Sequence, residues 1–438
     1  MTAHHPWPAC RDTFGYNDKR KEAARPPVTP TMTFNPSPPT PPSMRLAPRS
    51  ARNVLAVLVM VLGLSAWTTV HAQAAPAAAA TEAKSSRSLS FFDPEDGMLD
   101  ASDFLLNHKG ALPVPTIITE PAVGYGFGLG LIFFSESMAE AQASAKASGK
   151  GPAPPNITAI GGAYTENGTW VAGLAHFHTW DGDRYRYLGA IAQVDAQLDY
   201  FGQLNQARAY ELRGTFLVQQ FLVRLGDSRW YVGPRYVLFD SSATFKFGNA
   251  QELATVEKNQ RIGKGGIVVD YDSRDNIFYP SRGSYAELEV QLARTGFGST
   301  QTFNMYNARG FTWIPVARTL ILGLRADTRF STGDVPFYAQ PYVDLRGVQK
   351  GRYQDRNAVM AEMELRWDVT PRWSLLGFTG TGKAYGRWHD FSDASNVYSV
   401  GAGFRYMIAR KLGVSMGIDV AHSQGQNAFY IQVGSAWH

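Results

Sequence analysis

The chain has 438 residues, 13% aromatic and only 18% charged, with a formal net charge of +5 and one cysteine, Cys10. Part of that charge sits in a basic stretch near the front, so the balance does not point to a nucleic-acid partner. A single cysteine excludes an internal disulfide framework.

Residues 1–43 are rich in Pro, Thr and His without apolar periodicity and read as a disordered or over-called N-terminal extension. A signal peptide is expected at 44–72. Arg45, Arg49 and Arg52 make its positive front, 54–67 its apolar core, and Val70-His71-Ala72 its small-residue cleavage site. The apolar core is too short for the roughly 20 residues of a spanning helix, and no later segment approaches that length. Cleavage after Ala72 starts the mature chain at Gln73, without cysteine, in keeping with export through the periplasm. Residues 73–110 are expected to be a periplasmic linker and lead-in, Ala/Pro-rich at first and then helical in spacing near 99–106. The acids Asp93, Asp96, Asp100 and Asp103 lack the Gly and Glu positions of a calcium loop, so a solvated lead-in is expected and no metal site.

Strand signals then run to the end. They fall near 112–119, 121–134, 156–165, 168–180, 184–199, 207–223, 229–243, 262–272, 283–295, 300–315, 318–332, 357–369, 372–386, 395–408, 412–424 and 427–437. Asn167-Gly168 and Asp181-Gly182-Asp183 have the chemistry of tight turns, and 139–155 reads as a mobile loop. Successive side chains of a strand point to opposite faces. Leu188, Ala190, Ala192, Val194 and Ala196 oppose Gln193, Asp195 and Gln197. Leu320, Leu322 and Leu324 oppose Arg325 and Asp327. Val359, Ala361, Met363, Leu365 and Trp367 oppose Glu362, Glu364, Arg366 and Asp368. Aromatics gather at strand ends: Trp180, Tyr185, Tyr187, Trp230, Tyr231, Trp367, Trp373, Tyr430 and Trp437. An exported chain without a spanning helix, apolar on one face of strand after strand, reads as all-β: a transmembrane antiparallel β-barrel of about sixteen strands over 111–438. The apolar faces are expected toward lipid, and Trp437 among them.

Two stretches carry more than pattern. Val269-Asp270-Tyr271-Asp272-Ser273-Arg274-Asp275-Asn276 continues to Pro280 and Gly283, where Asp272, Arg274 and Asp275 are able to pair within one turn. The segment Asp344-Leu345-Arg346-Gly347-Val348 precedes the charged strand at 357. The first resembles the periplasmic turn of the bacterial surface antigen domain, and the second the arginine loop of BamA/TamA-type outer-membrane barrels. The match is best over 262–438. The resemblance implies that the extracellular loop folds inward and that Arg346, followed by Gly347, meets lumen-facing acids, Glu364 first and Glu362 beside it. Where the family carries a second acid on the next strand this chain has Gly380, so a looser clamp, or one completed by Asp368, is expected. Val348 stands in place of the family aromatic.

The same resemblance implies residence in the bacterial outer membrane, and a transport or membrane-insertion component. Its expected partners are outer-membrane lipids, the barrel assembly machinery during biogenesis, and a client protein or lipid that the sequence does not name. The lead-in is too short for the POTRA domains of that family. A weak seam between the Pro-interrupted first strand and the last is expected, and no cofactor. The alternatives are a barrel enzyme of lipase or protease type, for which His389 or His422 with a nearby serine is the only material, and a passive pore. His176 and His178 on one strand face are too few for a metal site.

Overall fold

Strands joined by short turns pair with their chain neighbours, and this sequence does so throughout. The structure is a computed structural model that describes residues 91–437 apart from 141–142, 144–155, 204–205 and 248–253. The extension at 1–43, the signal peptide at 44–72, the linker to residue 90 and most of the 139–155 loop lie outside the described residues. A short helix, α1 (Ser102–Asn107), precedes β1 (Gly110–Ile118), β2 (Gly126–Phe134), β3 (Ile157–Thr165), β4 (Trp170–Trp180), β5 (Tyr185–Tyr200) and β6 (Arg208–Arg224). There follow β7 (Trp230–Phe247), β8 (Ala254–Asp272), β9 (Gly283–Ala293), β10 (Phe303–Ala317) and β11 (Leu320–Gly333). The last five are β12 (Asn357–Asp368), β13 (Trp373–Tyr385), β14 (Val397–Ala409), β15 (Val414–Ser423) and β16 (Gln426–Val433). They form one antiparallel 16-stranded sheet in chain order, curled into a nearly closed barrel. The end carrying α1 and the C-terminus is called the near end below, and the opposite one the far end.

Two strand starts lie furthest from expectation. β2 starts at Gly126 because Glu120–Gly124 is a turn, with the Val123 and Gly124 amides donating to the Glu120 carbonyl at 3.1 and 3.0 Å. β8 begins at Ala254, eight residues before the expected start, paired with β7 from Phe247 onward. Its Glu257-Lys258-Asn259-Gln260-Arg261 run shows no apolar alternation, and the faces of the barrel explain why.

Around β9 to β15 the expected arrangement holds: Leu288, Leu324, Met363, Leu365, Val400 and Ile418 point outward, Glu287, Asp327, Glu362, Arg405 and Asp419 inward. β5 is inverted over its far half. Ala190, Ala192, Val194, Ala196 and Leu198 are buried inside with Leu212, Phe216 and Phe239, while Gln193, Asp195 and Gln197 face out. The outward row Ile191–Leu217–Leu238 is apolar and the adjacent row Gln193–Thr215–Asp240–Arg261 polar, in register across the strands. Beyond that row the outer face carries exposed ion pairs, Arg213 to Asp195 at 2.9 Å and Arg261 to Asp240 at 2.6 Å. A membrane barrel's apolar outer band is only about 25 Å tall. Strands of 16 to 19 residues outrun it, so their far halves are built as in water, apolar inside and polar outside.

The barrel is not sealed by backbone. Every consecutive pair from β1–β2 to β15–β16 has a ladder, but among the described residues β1 and β16 share none. Pro113 and Pro115 lack N–H groups two residues apart, hence on one edge of β1. Since β1 is paired with β2 at all nine positions, the missing donors fall on the edge facing β16.

Candidate functional site

The loop after β11 supplies the site. It leaves β11 at Gly333, whose φ of +87° favours glycine, and turns into the barrel. Phe337 packs at 5.0 Å on Tyr200 and Tyr210 and at 5.1 Å on Phe245, and Tyr338 shares a 3.0 Å hydrogen bond with Ser241. Val343, Leu345 and Val348 then pack on Ala358, Met360 and Val397 on the other side. The loop thus bridges the lumen, one end on the tall wall and the other against β12–β14.

Between these apolar anchors lies Arg346. Its Nε donates to Glu362 Oε1 at 2.8 Å, and Nη2 to the same oxygen. Nη1 donates to Asp419 Oδ2 at 3.0 Å and lies 2.8 Å from Glu364 Oε2 in an ion-pair contact. The guanidinium sits 3.4 Å from the Phe378 ring centroid, and the Arg346 carbonyl accepts from the Ser399 hydroxyl. Gly347, at φ +85°, donates its N–H to Tyr430 Oη at 2.9 Å. The residues expected at the clamp are therefore together, with the order of partners changed. Glu362 is the principal one. Asp368 takes no part: it pairs with Arg366 at 3.1 Å and accepts from Ser374.

Two residues at the clamp were not foreseen. Asp419 on β15 is held by Arg405, at 2.5 and 2.9 Å, and presented to Arg346. A Cβ at Gly403, directly opposite Asp419, would meet its Oδ1 at 2.1 Å, so that glycine was the available signal. The second is Trp437. Gly434, at φ +78°, turns the chain inward after β16, and the Ser435 amide donates to the Phe278 carbonyl at 2.5 Å. Trp437 is thereby buried inside, 5.8 Å from Trp313 and 6.2 Å from Phe311, with Nε1 donating to Glu362 Oε1 at 2.9 Å. The expectation that it faces lipid is corrected; Tyr231 and Tyr430, read among the strand-end aromatics, also point inward. Nor does Gly380 loosen the clamp: a Cβ there would lie 2.9 Å from Leu345, so glycine makes room for the loop.

The turn at 273–282 closes the near mouth. Arg274 reaches Asp272 through Nε at 3.0 Å and Nη2 at 2.7 Å and lies 4.7 Å from the Tyr285 ring. Asp275 does not join that pair; its Oδ1 accepts from the Ser281 and Arg282 amides at 2.9 and 3.2 Å. A Cβ on Gly283, at φ +101°, would strike the Ser273 carbonyl at 2.3 Å. The turn then crosses the mouth. Arg366 donates to the Pro280 carbonyl and the Ser281 hydroxyl, each at 2.8 Å, and Asn276 donates to the Leu412 carbonyl at 3.0 Å.

The lead-in acids are not merely solvated, as expected above. Arg372, in the turn between β12 and β13, is buried among them, at 2.7 Å from Asp93, 2.6 Å from Asp96 and 2.7 Å from Asp100. The Arg372 guanidinium and the Met98 amide hold Asp96 below the usual carboxylate value. Burial works against ionisation at Asp100, but bonds from the Ser102 hydroxyl and amide and from Arg372 outweigh it and depress this group as well. Lys411 adds a 2.6 Å pair with Asp103.

The two histidines weighed for an enzyme are both exposed, His389 between β13 and β14 and His422 on β15. His422 points outward, bonded to Asn427 at 2.7 Å, while the neighbouring Ser423 is buried on the inner face. His176 and His178 lie on the outer surface beside Trp180. Among the described residues no three His, Cys, Asp or Glu side chains are placed to hold a metal ion.

The barrel from Haemophilus ducreyi BamA lacking POTRA domains 1–3 superposes with a TM-score of 0.53 at 12% identity, covering 75% of this chain and 70% of that one. CdiB from Acinetobacter baumannii gives 0.49 at 8% identity over 74% of this chain and 59% of its own. No curated protein matches at the sequence level. The first likeness shows a shared fold. A family model described as the Omp85 superfamily domain matches residues 189–437, more than half of the chain. This is an Omp85-type outer-membrane barrel, and the chain belongs to the Omp85 superfamily.

Proposed function

We propose that the protein is an exported transport or membrane-insertion component whose clients pass through the β1–β16 seam and not through the lumen, and that it carries no chemistry of its own. The observation that carries this reading is the missing ladder at that one place in an otherwise continuous sheet. An unpaired backbone edge in lipid is costly unless something else holds it. Here side chains bridge the two edges. Tyr125 stacks on Phe429 across the seam with ring centroids 5.6 Å apart, and the arginine loop reaches Tyr430 of β16 on one side and Glu120 beside β1 on the other, through Lys350 at 4.0 Å. Contacts of this kind open at far lower cost than a ladder. The lumen, by contrast, is obstructed at both ends by the arginine loop and the 273–282 turn, which weighs against a passive pore. The Arg346 clamp and the 273–282 turn act in this reading as supports that keep the barrel shaped while the seam opens. The near end faces the periplasm, where lipids, the assembly machinery and a client protein or lipid meet the protein after cleavage of the signal peptide at 44–72.

A disulfide across the seam tests it. Tyr125→Cys with Phe429→Cys, as the cell's only copy, should reproduce the outer-membrane protein and lipid changes of a deletion strain and recover with reductant. Leu217→Cys with Leu238→Cys, opposed on the outer face of a laddered pair, should have no effect. A cross-linked seam that leaves the cell unchanged rejects the seam route.

A further inference from the structure

β8 outruns the strand on one side of it. Its ladder with β7 is unbroken from Trp230–Tyr271 to Phe247–Ala254, but its ladder with β9 begins only at Lys264. In an antiparallel sheet alternate residues send their N–H and C=O groups to opposite neighbours. The Asp272 amide donates to the Arg229 carbonyl, just ahead of β7, at 3.1 Å, and the Ser273 amide to the Ser284 carbonyl of β9 at 2.8 Å. Even-numbered residues of β8 therefore serve β7, and odd-numbered ones the other side. Neither ladder shifts register, so before Lys264 the odd-numbered backbone groups face a side where β9 is absent. Arg261 agrees with this parity: its carbonyl accepts from the Thr300 amide at 2.8 Å, and its amide donates to the Thr300 hydroxyl at 3.2 Å. Past that one rung, Asn259, Glu257 and Thr255 meet no strand among the described residues.

The open stretch lies beyond the polar row Gln193–Thr215–Asp240–Arg261, past the apolar band, so it stands in water and not in lipid. Glu257, Lys258 and Asn259 are exposed, and no proline interrupts the edge, in contrast to β1. Sheets ordinarily keep such edges short or cover them; here the chain builds the edge out past its neighbour. Donors and acceptors repeating at every second residue are matched by another extended backbone. That backbone does not come from a second copy of the barrel. Two barrels in one membrane are related by an axis along its normal, and strands tilted about 35–45° from the normal cannot pair around such an axis. Glu257 flanks the edge on the outer face, in line with Arg261, and Lys258 on the opposite one. An antiparallel guest with adjacent acidic and basic residues sets an opposite charge against each.

We propose that the far edge of β8, residues 255–260, is a docking edge for an extended segment of another protein, which joins the β5–β8 sheet as one more antiparallel strand. In the orientation proposed above this edge lies outside the cell. The inference stands on the hydrogen-bond pattern of the sheet and is independent of the seam route.

The test uses the full mature barrel in detergent and a fluorescein-labelled peptide, Thr-Val-Thr-Glu-Lys-Thr-Val-Thr, with binding read by anisotropy. Saturable binding is expected. Asn259→Pro deletes the N–H that faces the guest and leaves the β7 ladder whole, since position 259 gives that ladder nothing. It should weaken binding about tenfold, as the loss of one hydrogen bond does. Asn259→Ala, which changes only the side chain, should bind as the unaltered barrel does. Should Asn259→Pro fail to assemble, judged by heat-modifiable gel mobility, Glu257→Pro against Glu257→Ala makes the same comparison. No saturable binding, or equal binding by the proline and alanine variants, overturns the proposal. A barrel that runs as a dimer and becomes monomeric on Asn259→Pro gives the edge to a second copy and overturns it as well.

Discussion

The wall of β5–β8 and the wall of β12–β16 solve the same problem with opposite means. The first has strands of 16 to 19 residues and, over its far half, an aliphatic and aromatic inner face against Phe337, with the buried Arg186–Asp183 and Arg235–Glu289 pairs confined to its near half. The second has strands of 8 to 13 residues, an inner face of Glu362, Arg405 and Asp419 met by Arg346 of the loop, and an edge at β16 without a ladder to β1 among the described residues. Backbone ladders and apolar packing need no partner to be in a given charge state. Buried ion pairs are self-consistent only as complete sets, since a carboxylate left alone in the interior is expensive. The apolar far half of the first wall is therefore the part indifferent to charge, and the inner face of the second is the part that a single lost charge can undo.

The largest effect is expected from breaking that set. Arg346→Ala leaves Glu362 buried without its main partner and should cost about 3–5 kcal/mol, read as a lower denaturation midpoint of the folded barrel in detergent. Arg346→Lys should recover part of the loss, because it lacks the planar fork. A double mutant with Glu362→Gln should cost less than the sum of the singles; additive losses would mean that the two walls do not differ in this way. On the tall wall, Leu212→Ala removes a fully buried aliphatic and should cost about 3 kcal/mol as an ordinary cavity, additive with Arg346→Ala. Trp437→Phe keeps the ring among Phe311 and Trp313 but deletes the donor to Glu362. A loss of about 1.5 kcal/mol is expected, and a smaller one in the background of Glu362→Gln, whose neutral amide oxygen is the weaker acceptor. Arg213→Ala, whose pair with Asp195 is exposed above the apolar band, should cost less than about 1 kcal/mol and lose even that in high salt.

The smallest effect is a pH dependence outside the strands. Asp96 and Asp100 are held below their ordinary value of 3.8 in the folded protein. A depressed carboxylate contributes stability above its unfolded value and loses it as pH falls through the folded one. Protection factors for hydrogen exchange at 91–100, taken relative to the intrinsic rate at each pH, should therefore be constant from neutral pH down to 3.8 and fall below it, while the amides of β5–β8 stay protected.

Much of this was legible in the chain. The sixteen strands follow from period-two alternation, and β12 was read in its correct register because four charged residues mark its inner face at 362, 364, 366 and 368. Alternation fixes which residues share a face but not which face is inside, so the inversion on β5 was invisible without a count of how far a strand outruns the bilayer. The first eight residues of β8 were missed for the same cause: both environments beyond the band tolerate polar side chains. At the clamp, the resemblance of the arginine loop pointed to Glu364 and Glu362, which lie just beyond the loop. Asp419 lies 73 residues from Arg346 and is brought to it only by the curl of the sheet. The path of Trp437 depends on one positive φ at Gly434, which no periodicity records.

The two prolines of β1 have a consequence for time as well as for strength. A strand arriving at that edge from another chain can receive no bond at Pro113 or Pro115 and must leave two of its own carbonyls unanswered. Such a guest cannot zip on and stay, nor can a second copy fuse its first strand to this one. An edge of this kind shortens the residence of any strand that pairs with it.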